Sequence, residues 1–421
     1  MGALGAGLVL LQRFSLPFTE GAVSISALAL SMAFLGMVIL RIATIDPTRL
    51  LVIFLVLALS GAILITIGGS VASLALIAAI WVAAVAAFPD ASRLQRAALA
   101  GVVHATILAC TLALVQAIVS FLNGALLDPV SELPESWLVQ GFNTSDPISF
   151  GESLMKSNGM LFLEPSLLSL FAALSLLAVV VGAVGERWDS LRTLIVFAIL
   201  VGGWMTSVAA SGMVVLPFLV VGIVARGRRA WAPLALVGVG AGAALAALPA
   251  WSSALAHRVF TTSLEVGSNE ARLVRPYQYL LARSLDAEAI FGFGPGAARQ
   301  YVRSLYSGWQ SEIATPTMAK LGFEYGLVGL VVVILIVLLV LRGSKLPWLM
   351  RGAVVVAVLV PTDGLTNVLL AGLAILCSLP QGPERRICPN GLAKVPLSTN
   401  QSGASTDSSL RAAYSIGRRT W

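Results

Sequence analysis

Long apolar runs separated by short polar loops dominate the chain. Runs long enough to cross about 30 Å of hydrocarbon fall near 21–41, 50–67, 71–88, 97–122, 164–185, 230–250 and 315–341. Shorter or interrupted apolar runs lie near 1–18, 193–209, 211–225, 352–361 and 365–380, with breaks at Ser211-Gly212 and at Pro361-Thr362-Asp363-Gly364. The pattern predicts an all-α integral membrane protein with about twelve transmembrane helices.

The basic residues of the short loops predict how these helices are oriented. When the spans alternate, one side receives Arg41, Arg49, Arg93, Arg96, Arg187, Arg192, Arg226, Arg228, Arg229, Arg342, Lys345 and Arg351. An excess of arginine and lysine marks the cytoplasmic side of a membrane protein. We therefore expect both termini in the cytoplasm and two long loops, about 123–163 and 251–314, on the periplasmic side.

The two ends of the chain differ in character. The N-terminal run lacks a basic start and a clear cleavage site, so it is interpreted as a first membrane helix of full or reduced length, not a signal peptide. Residues 1–380 form the predicted polytopic membrane domain. Residues 381–421 are rich in Ser, Asn, Gly and Arg without periodicity, which predicts a disordered cytoplasmic tail.

Composition agrees with a membrane protein and argues against nucleic-acid binding. Hydrophobic residues make up 58% of the chain and charged residues 11%, whereas a soluble domain averages about a quarter charged residues. The net charge is +7, but most basic residues stand in short loops between apolar runs. The three cysteines suggest no disulfide framework, and no convincing internal repeat indicates a transporter of related halves.

The second long loop concentrates arginine and aromatic side chains. It carries Arg258, Arg272, Arg275, Arg283, Arg299 and Arg303, with Tyr277, Tyr279, Tyr301, Tyr306 and Trp309 among them. Guanidinium groups suit bidentate binding of a phosphate or pyrophosphate. On a continuous helix, Arg272, Arg275 and Arg283 would share one face. The alternative is a solvated or headgroup-facing side of an interfacial helix.

Other candidate residues flank these loops. Glu164 precedes Pro165 at the start of a span, so it is either a helix-start carboxylate favoured by the dipole or a base that orients an acceptor hydroxyl. His257 either lies at the level of the lipid headgroups or takes part in catalysis. Lys156 is either an ordinary surface lysine or a pyrophosphate ligand. His104, inside an apolar run, is interpreted as a helix-contact residue. No Asp, Glu and His cluster has convincing metal spacing.

Three stretches at the edges of the two long loops share a recognisable pattern. They are Asn158-Gly159-Met160-Leu161-Phe162-Leu163-Glu164-Pro165-Ser166; Asn269-Glu270-Ala271-Arg272 leading to Phe291-Gly292-Phe293-Gly294-Pro295-Gly296; and Leu321-Gly322-Phe323-Glu324-Tyr325-Gly326-Leu327-Val328-Gly329. Together these stretches resemble the O-antigen polymerase and O-antigen ligase superfamily of bacterial envelope proteins. The spacing of Arg283 and Gly294 is similar to that of polymerase loops. One departure is informative, because ligases of this superfamily carry a histidine near the end of the large loop, where this chain has none.

The resemblance implies a metal-independent glycosyltransferase of the inner membrane without a cofactor. Its substrate would be an undecaprenyl-pyrophosphate-linked oligosaccharide, polymerised at the periplasmic face, with a chain-length regulator as a possible protein partner. For this reaction we expect catalytic roles for Arg272, Arg283, Glu164 and His257, and substrate binding by Arg275, Lys156, Arg258, Gly294, Gly296 and Tyr277. The alternatives are a ligase-like transferase that delivers glycan to a lipid or protein acceptor, and a flippase for lipid-linked oligosaccharides.

Overall fold

The computed structural model describes residues 1–17, 24–139, 142, 155–184, 190–227, 277–278, 287–298, 316–361 and 367–383. In this part of the chain the protein is mostly helical. The helices are α1 (Gly2–Leu10), α2 (Ile25–Ile39), α3 (Pro47–Thr66), α4 (Val71–Trp81), α5 (Ala91–Asn123), α6 (Pro165–Val180), α7 (Ser190–Ser207), α8 (Leu216–Arg226), α9 (Ala287–Phe291), α10 (Thr317–Gly343), α11 (Trp348–Leu359) and α12 (Val368–Cys377).

Short elements connect some of these helices. Two-residue strands β1 (Thr44–Ile45) and β2 (Ala86–Ala87) pair in antiparallel register. Short 3₁₀ helices cover Val82–Val85, Pro129–Glu132, Glu135–Trp137 and Ala210–Val215. The last of these separates α7 from α8, so the predicted interruption at Ser211-Gly212 is confirmed.

Three of the described helices have the length and hydropathy of a membrane span: α3, α5 and α10. The other apolar helices, α2, α4, α6, α7, α8, α11 and α12, are shorter. The predicted helical membrane protein is thereby supported in its general class, and the number of twelve spans stays a prediction. The expected span at 230–250 and the tail from residue 384 onward lie outside the described residues.

Helix α5 is central to the packing and contacts α1, α6, α7 and α12. Small residues let α1 lie directly against it: a Cβ atom on Gly5 would stand 2.0 Å from the carbonyl oxygen of Ala98, and one on Gly101 would stand 1.9 Å from that of Gly2. Such close backbone contact at small residues is typical of membrane helices. In lipid the hydrophobic effect does not drive helices together, so their association depends on close van der Waals packing.

Two buried polar side chains gather several helix ends at one end of the bundle. Arg49, near the start of α3, donates to the carbonyl oxygens of Ala84, Leu339 and Ser378. Gln95, in the first turns of α5, donates to the carbonyl oxygens of Gly343 and Leu379 at 2.8 Å. The loops that the sequence assigns to the cytoplasm near Arg49, Gln95 and Gly343 therefore share one side. That this side faces the cytoplasm stays a prediction.

Two of the element boundaries that differ from those expected have a local cause. Helix α5 begins at Ala91 instead of near residue 97, because the Asp90 carboxylate accepts a hydrogen bond from the backbone N–H of Arg93 and caps the helix. Arg93 and Arg96 are thus helical, not loop residues. Helix α1 ends at Leu10 instead of near residue 18, because the chain that follows forms an isolated bridge between Phe14 and Leu138.

Candidate functional site

Glu164 stands at the N-terminal boundary of α6, half-buried, with Pro165 as the first helical residue. Its Oε2 atom accepts a hydrogen bond of 2.7 Å from the Ser166 hydroxyl. The carboxylate makes no side-chain cap to its own helix, although a negative charge at a helix start is favoured by the helix dipole. The predicted helix-start placement is confirmed, and the catalytic role remains a prediction.

The segment that precedes Glu164 turns through two residues of left-handed backbone. Gly159 has φ 66° and Met160 has φ 58°, and the second is costly for a residue with a side chain. Gln116 on α5 holds this turn, because its Nε2 donates to Asn158 Oδ1 at 3.0 Å and its Oε1 accepts from the Gly159 backbone N–H at 2.8 Å. The first resembling stretch is therefore anchored to a buried amide.

An ion pair supports the same turn from the other side. Nη1 of Arg13 lies 2.8 Å from Oδ1 of Asp128 and donates to the carbonyl oxygen of Met160 at 2.8 Å. Sequence reasoning missed Arg13, Asp128 and Gln116 as supporting residues. Arg13 and Gln116 do carry a signal, since each is a polar residue within an apolar run, but no pattern pairs position 13 with position 128.

The break between α7 and α8 lies against the start of α6. The Ser211 hydroxyl donates to the carbonyl oxygen of Ser166 at 2.7 Å, and the Ser169 hydroxyl donates to that of Ala209 at 2.8 Å. The backbone N–H of Ser157 donates to the carbonyl oxygen of Thr206 at 3.1 Å. Lys156, which is half-buried, therefore belongs to a segment attached to the same break.

We call this region, made by Lys156, Glu164, Ser166 and Ser211, the α6 entry site. Hydroxyl groups and an irregular backbone at the end of apolar helices are tolerated where protein or water satisfies the backbone polar groups. Chemically, the region holds a half-buried carboxylate, Glu164, whose neighbours Ser166 and Ser211 are hydrogen-bonded in series. A carboxylate can in general accept a proton from a hydroxyl group.

The glycine segment 292–296 packs against α10 and the turn between α3 and α4. Backbone N–H groups of Phe293 and Gly294 donate to the carbonyl oxygens of Phe323 and Glu324 at 2.8 and 3.0 Å. The N–H of Ser70 donates to the carbonyl oxygen of Pro295 at 2.6 Å. The second and third resembling stretches are therefore hydrogen-bonded to one another.

The glycines of this segment are required by close backbone contact. Gly294 has φ 94°, and a Cβ there would stand 1.9 Å from the carbonyl oxygen of Gly68. Gly296 has φ 79°, and a Cβ there would stand 2.7 Å from the Ser73 hydroxyl oxygen. Both glycines therefore allow a close approach to other parts of the protein. Substrate binding by Gly294 and Gly296 stays a prediction.

Helix α9, which precedes this segment, packs against a distorted turn of α10. Gly326 interrupts α10 with φ 55° and ψ −142°, and a Cβ there would stand 2.5 Å from the carbonyl oxygen of Ala289. Two residues earlier, Glu324 is buried, with its carboxylate 3.8 Å from the Lys320 ammonium. A buried acid in a candidate membrane span is a functional candidate by default, and sequence reasoning did not single it out.

The arginines predicted to bind pyrophosphate, which we call the arginine cradle, belong to the second long loop. Arg272, Arg275, Arg283, Arg258 and His257 lie outside the described residues, so their predicted roles remain predictions. Of the same loop, Tyr277 is described; it is half-buried, and burial raises the pKa of its phenol. The described contacts do not join Tyr277 or the glycine segment to the α6 entry site.

Comparison with known proteins adds no relative. A scan against protein-family models gives no match, and no curated protein or solved structure is significantly similar to the chain. A functional assignment therefore depends on the residues and their geometry.

Proposed function

We propose that the protein is a bacterial inner-membrane glycosyltransferase that polymerises undecaprenyl-pyrophosphate-linked oligosaccharide repeat units at the periplasmic face. The observation that supports this proposal most is the contact between resembling stretches. Residues 291–296 and 321–329 are far apart in sequence from the first stretch, yet all three take up defined positions beside apolar helices, and the second and third are hydrogen-bonded. The two stretches meet through backbone hydrogen bonds from Phe293 to Phe323 and from Gly294 to Glu324.

The chemistry assigns distinct tasks to the two regions. A hydroxyl oxygen of the acceptor saccharide attacks the anomeric carbon of the donor, a new glycosidic C–O bond forms, and the bond from that carbon to the pyrophosphate oxygen breaks. The hydroxyl proton passes to a base, for which Glu164 is the candidate. Undecaprenyl pyrophosphate leaves with the bonding electrons, and Arg272 and Arg283 would stabilise the charge that develops on it.

The geometry of Glu164 fits the role of a base at the membrane surface. One carboxylate oxygen is held by Ser166, which fixes the rotamer of the side chain. The Ser166 carbonyl is in turn held by Ser211, so the break between α7 and α8 supports the orientation of the start of α6. A positioned base of this kind contributes about a hundredfold or more to a proton-transfer step.

Analysis of lipid-linked intermediates in cells that lack the protein tests the proposal. Single repeat units on the undecaprenyl carrier, or a single unit on the final acceptor, are expected. Full-length polymer retained on the carrier would indicate the ligase alternative instead. Repeat units confined to the cytoplasmic leaflet would overturn the enzyme assignment in favour of a flippase.

A further inference from the structure

A cleft with two arginines lies at the end of the bundle opposite the α6 entry site. It has a volume of about 610 Å³ and is bordered by the N-terminal halves of α1 and α5 and by Val184, just beyond α6. Arg93 and Arg96 lie at one end of it and His104 further along the same helix, and all three side chains are exposed. His104, which the sequence suggested as a helix contact, therefore also borders this cleft.

The two guanidinium groups are available to an anion. They are three residues apart, about one helical turn, so they project from neighbouring positions of one helix face. Arg96 donates through Nε to the carbonyl oxygen of Ser92, which leaves its two terminal nitrogens for another acceptor. In the described part of the chain, neither guanidinium forms an ion pair with a carboxylate. Paired guanidinium groups bind phosphate oxygens with favourable geometry.

The wall of the cleft beside these arginines is apolar and made of small side chains. Ala3 and Ala6 of α1 line it together with Ala97 and Ala100 of α5. From Arg93 to His104 the cleft follows α5 for about 16 Å at 1.5 Å per residue. Because α5 is itself a candidate membrane span, this distance leads from the basic end of the helix toward the hydrocarbon.

A basic end and an apolar groove along one membrane helix match the two parts of a phospholipid. We propose that the cleft binds an anionic phospholipid, with its phosphodiester between Arg93 and Arg96 and the first part of an acyl chain along the alanine face. Basic pockets between membrane helices bind anionic headgroups in this way. A soluble phosphate compound would use the arginines but would gain nothing from the alanine wall. The proposal does not depend on the glycosyltransferase assignment.

Lipid titration of the purified full-length protein in detergent tests this site. Native mass spectrometry would count bound phosphatidylglycerol and phosphatidylcholine for the unmodified protein and for the double variant Arg93→Gln/Arg96→Gln. Each basic residue near a membrane surface contributes about fivefold in affinity for anionic lipid, so the double variant should bind phosphatidylglycerol about 25-fold more weakly. Binding of phosphatidylcholine should not change.

The matched control is Arg342→Gln/Lys345→Gln, which removes the same charge from two exposed residues at the end of the bundle held by Gln95. It should bind phosphatidylglycerol like the unmodified protein. Arg93→Lys/Arg96→Lys, which keeps the charge, should retain most of the binding, while unchanged phosphatidylcholine binding shows that the glutamine variant is folded. Equal losses in both glutamine pairs, or equal binding of the two lipids, would overturn the proposal. Full displacement of the lipid by inorganic phosphate would identify an anion site without an acyl-chain groove and would also overturn it.

Discussion

The guanidinium of Arg13 lies 2.8 Å from the carboxylate of Asp128, and both side chains are almost completely shielded, at 3% and 6% exposure. The pair connects the chain after α1 to the loop after α5, across 115 residues. The same Nη1 atom donates to the carbonyl oxygen of Met160, four residues before Glu164. A buried ion pair thus supports the turn that leads into the α6 entry site.

Removal of one member of this pair should destabilise the protein strongly. Arg13→Met leaves the Asp128 carboxylate buried without its partner, and Asp128→Leu leaves the Arg13 guanidinium buried without its partner. Each variant should lose about 3–5 kcal/mol of folding free energy. The double variant Arg13→Met/Asp128→Leu should be more stable than either single variant, since no unpaired charge remains. Thermal unfolding in detergent, followed by tryptophan fluorescence, measures this. Additive losses in the double variant would contradict the coupling.

Gly294 should tolerate no side chain. Alanine there combines a left-handed backbone with a Cβ 1.9 Å from the Gly68 oxygen, and the expected loss of stability is about 2 kcal/mol or more. The control is Gly61→Ala in α3, where nothing lies within 4 Å of the added atom; it should leave stability unchanged or raise it. Equal melting temperatures for the two variants would show that the segment is not packed as described.

Glu164→Gln should reduce polymer formation by about a hundredfold, because an amide cannot accept the acceptor proton. The amide can still accept a hydrogen bond from Ser166, so the protein should remain folded and inserted. The matched control is Glu132→Gln, which changes an exposed carboxylate in the long loop before Glu164. Cells with this variant should form normal polymer. Polymer analysis of complemented deletion cells gives the answer. Normal polymer in the Glu164 variant would remove it as the base.

Single substitutions of arginines in the second long loop test the arginine cradle. Arg272→Ala and Arg283→Ala should each abolish polymer while the protein remains in the membrane, since each would withdraw charge from the leaving pyrophosphate. Lysine at either position should restore activity only in part, because it lacks the planar fork of arginine. Arg342→Ala, in the last turn of α10, serves as the control. Unchanged polymer length in both alanine variants would refute the cradle.

The helices were predictable because an apolar run needs internal backbone hydrogen bonds in a membrane. The apolar runs 50–67 and 315–341 predicted the ends of α3 and α10 to within a few residues. The start of α5 was not predictable from hydropathy, since Arg93 and Arg96 are polar and a cap by Asp90 extends the helix past them. Local capping therefore decided the boundary.

The candidate site was predictable in its local parts and not in its contacts. Pro165 after Glu164 indicated a helix start, which the structure has. The pairing of Arg13 with Asp128 and the contact of Gly294 with Gly68 depend on how distant segments pack. No periodicity encodes such pairings, because each residue's own neighbours in sequence are compatible with many partners.

The most direct test of the central claim is reconstitution. The purified protein in liposomes would receive the undecaprenyl-pyrophosphate-linked repeat unit extracted from deletion cells, and products would be followed by mass spectrometry. The account predicts a ladder of lipid-linked oligomers, with one undecaprenyl pyrophosphate released for each new glycosidic bond and no need for added metal. Repeat units that only change leaflet, with no new bond and no released pyrophosphate, would contradict it.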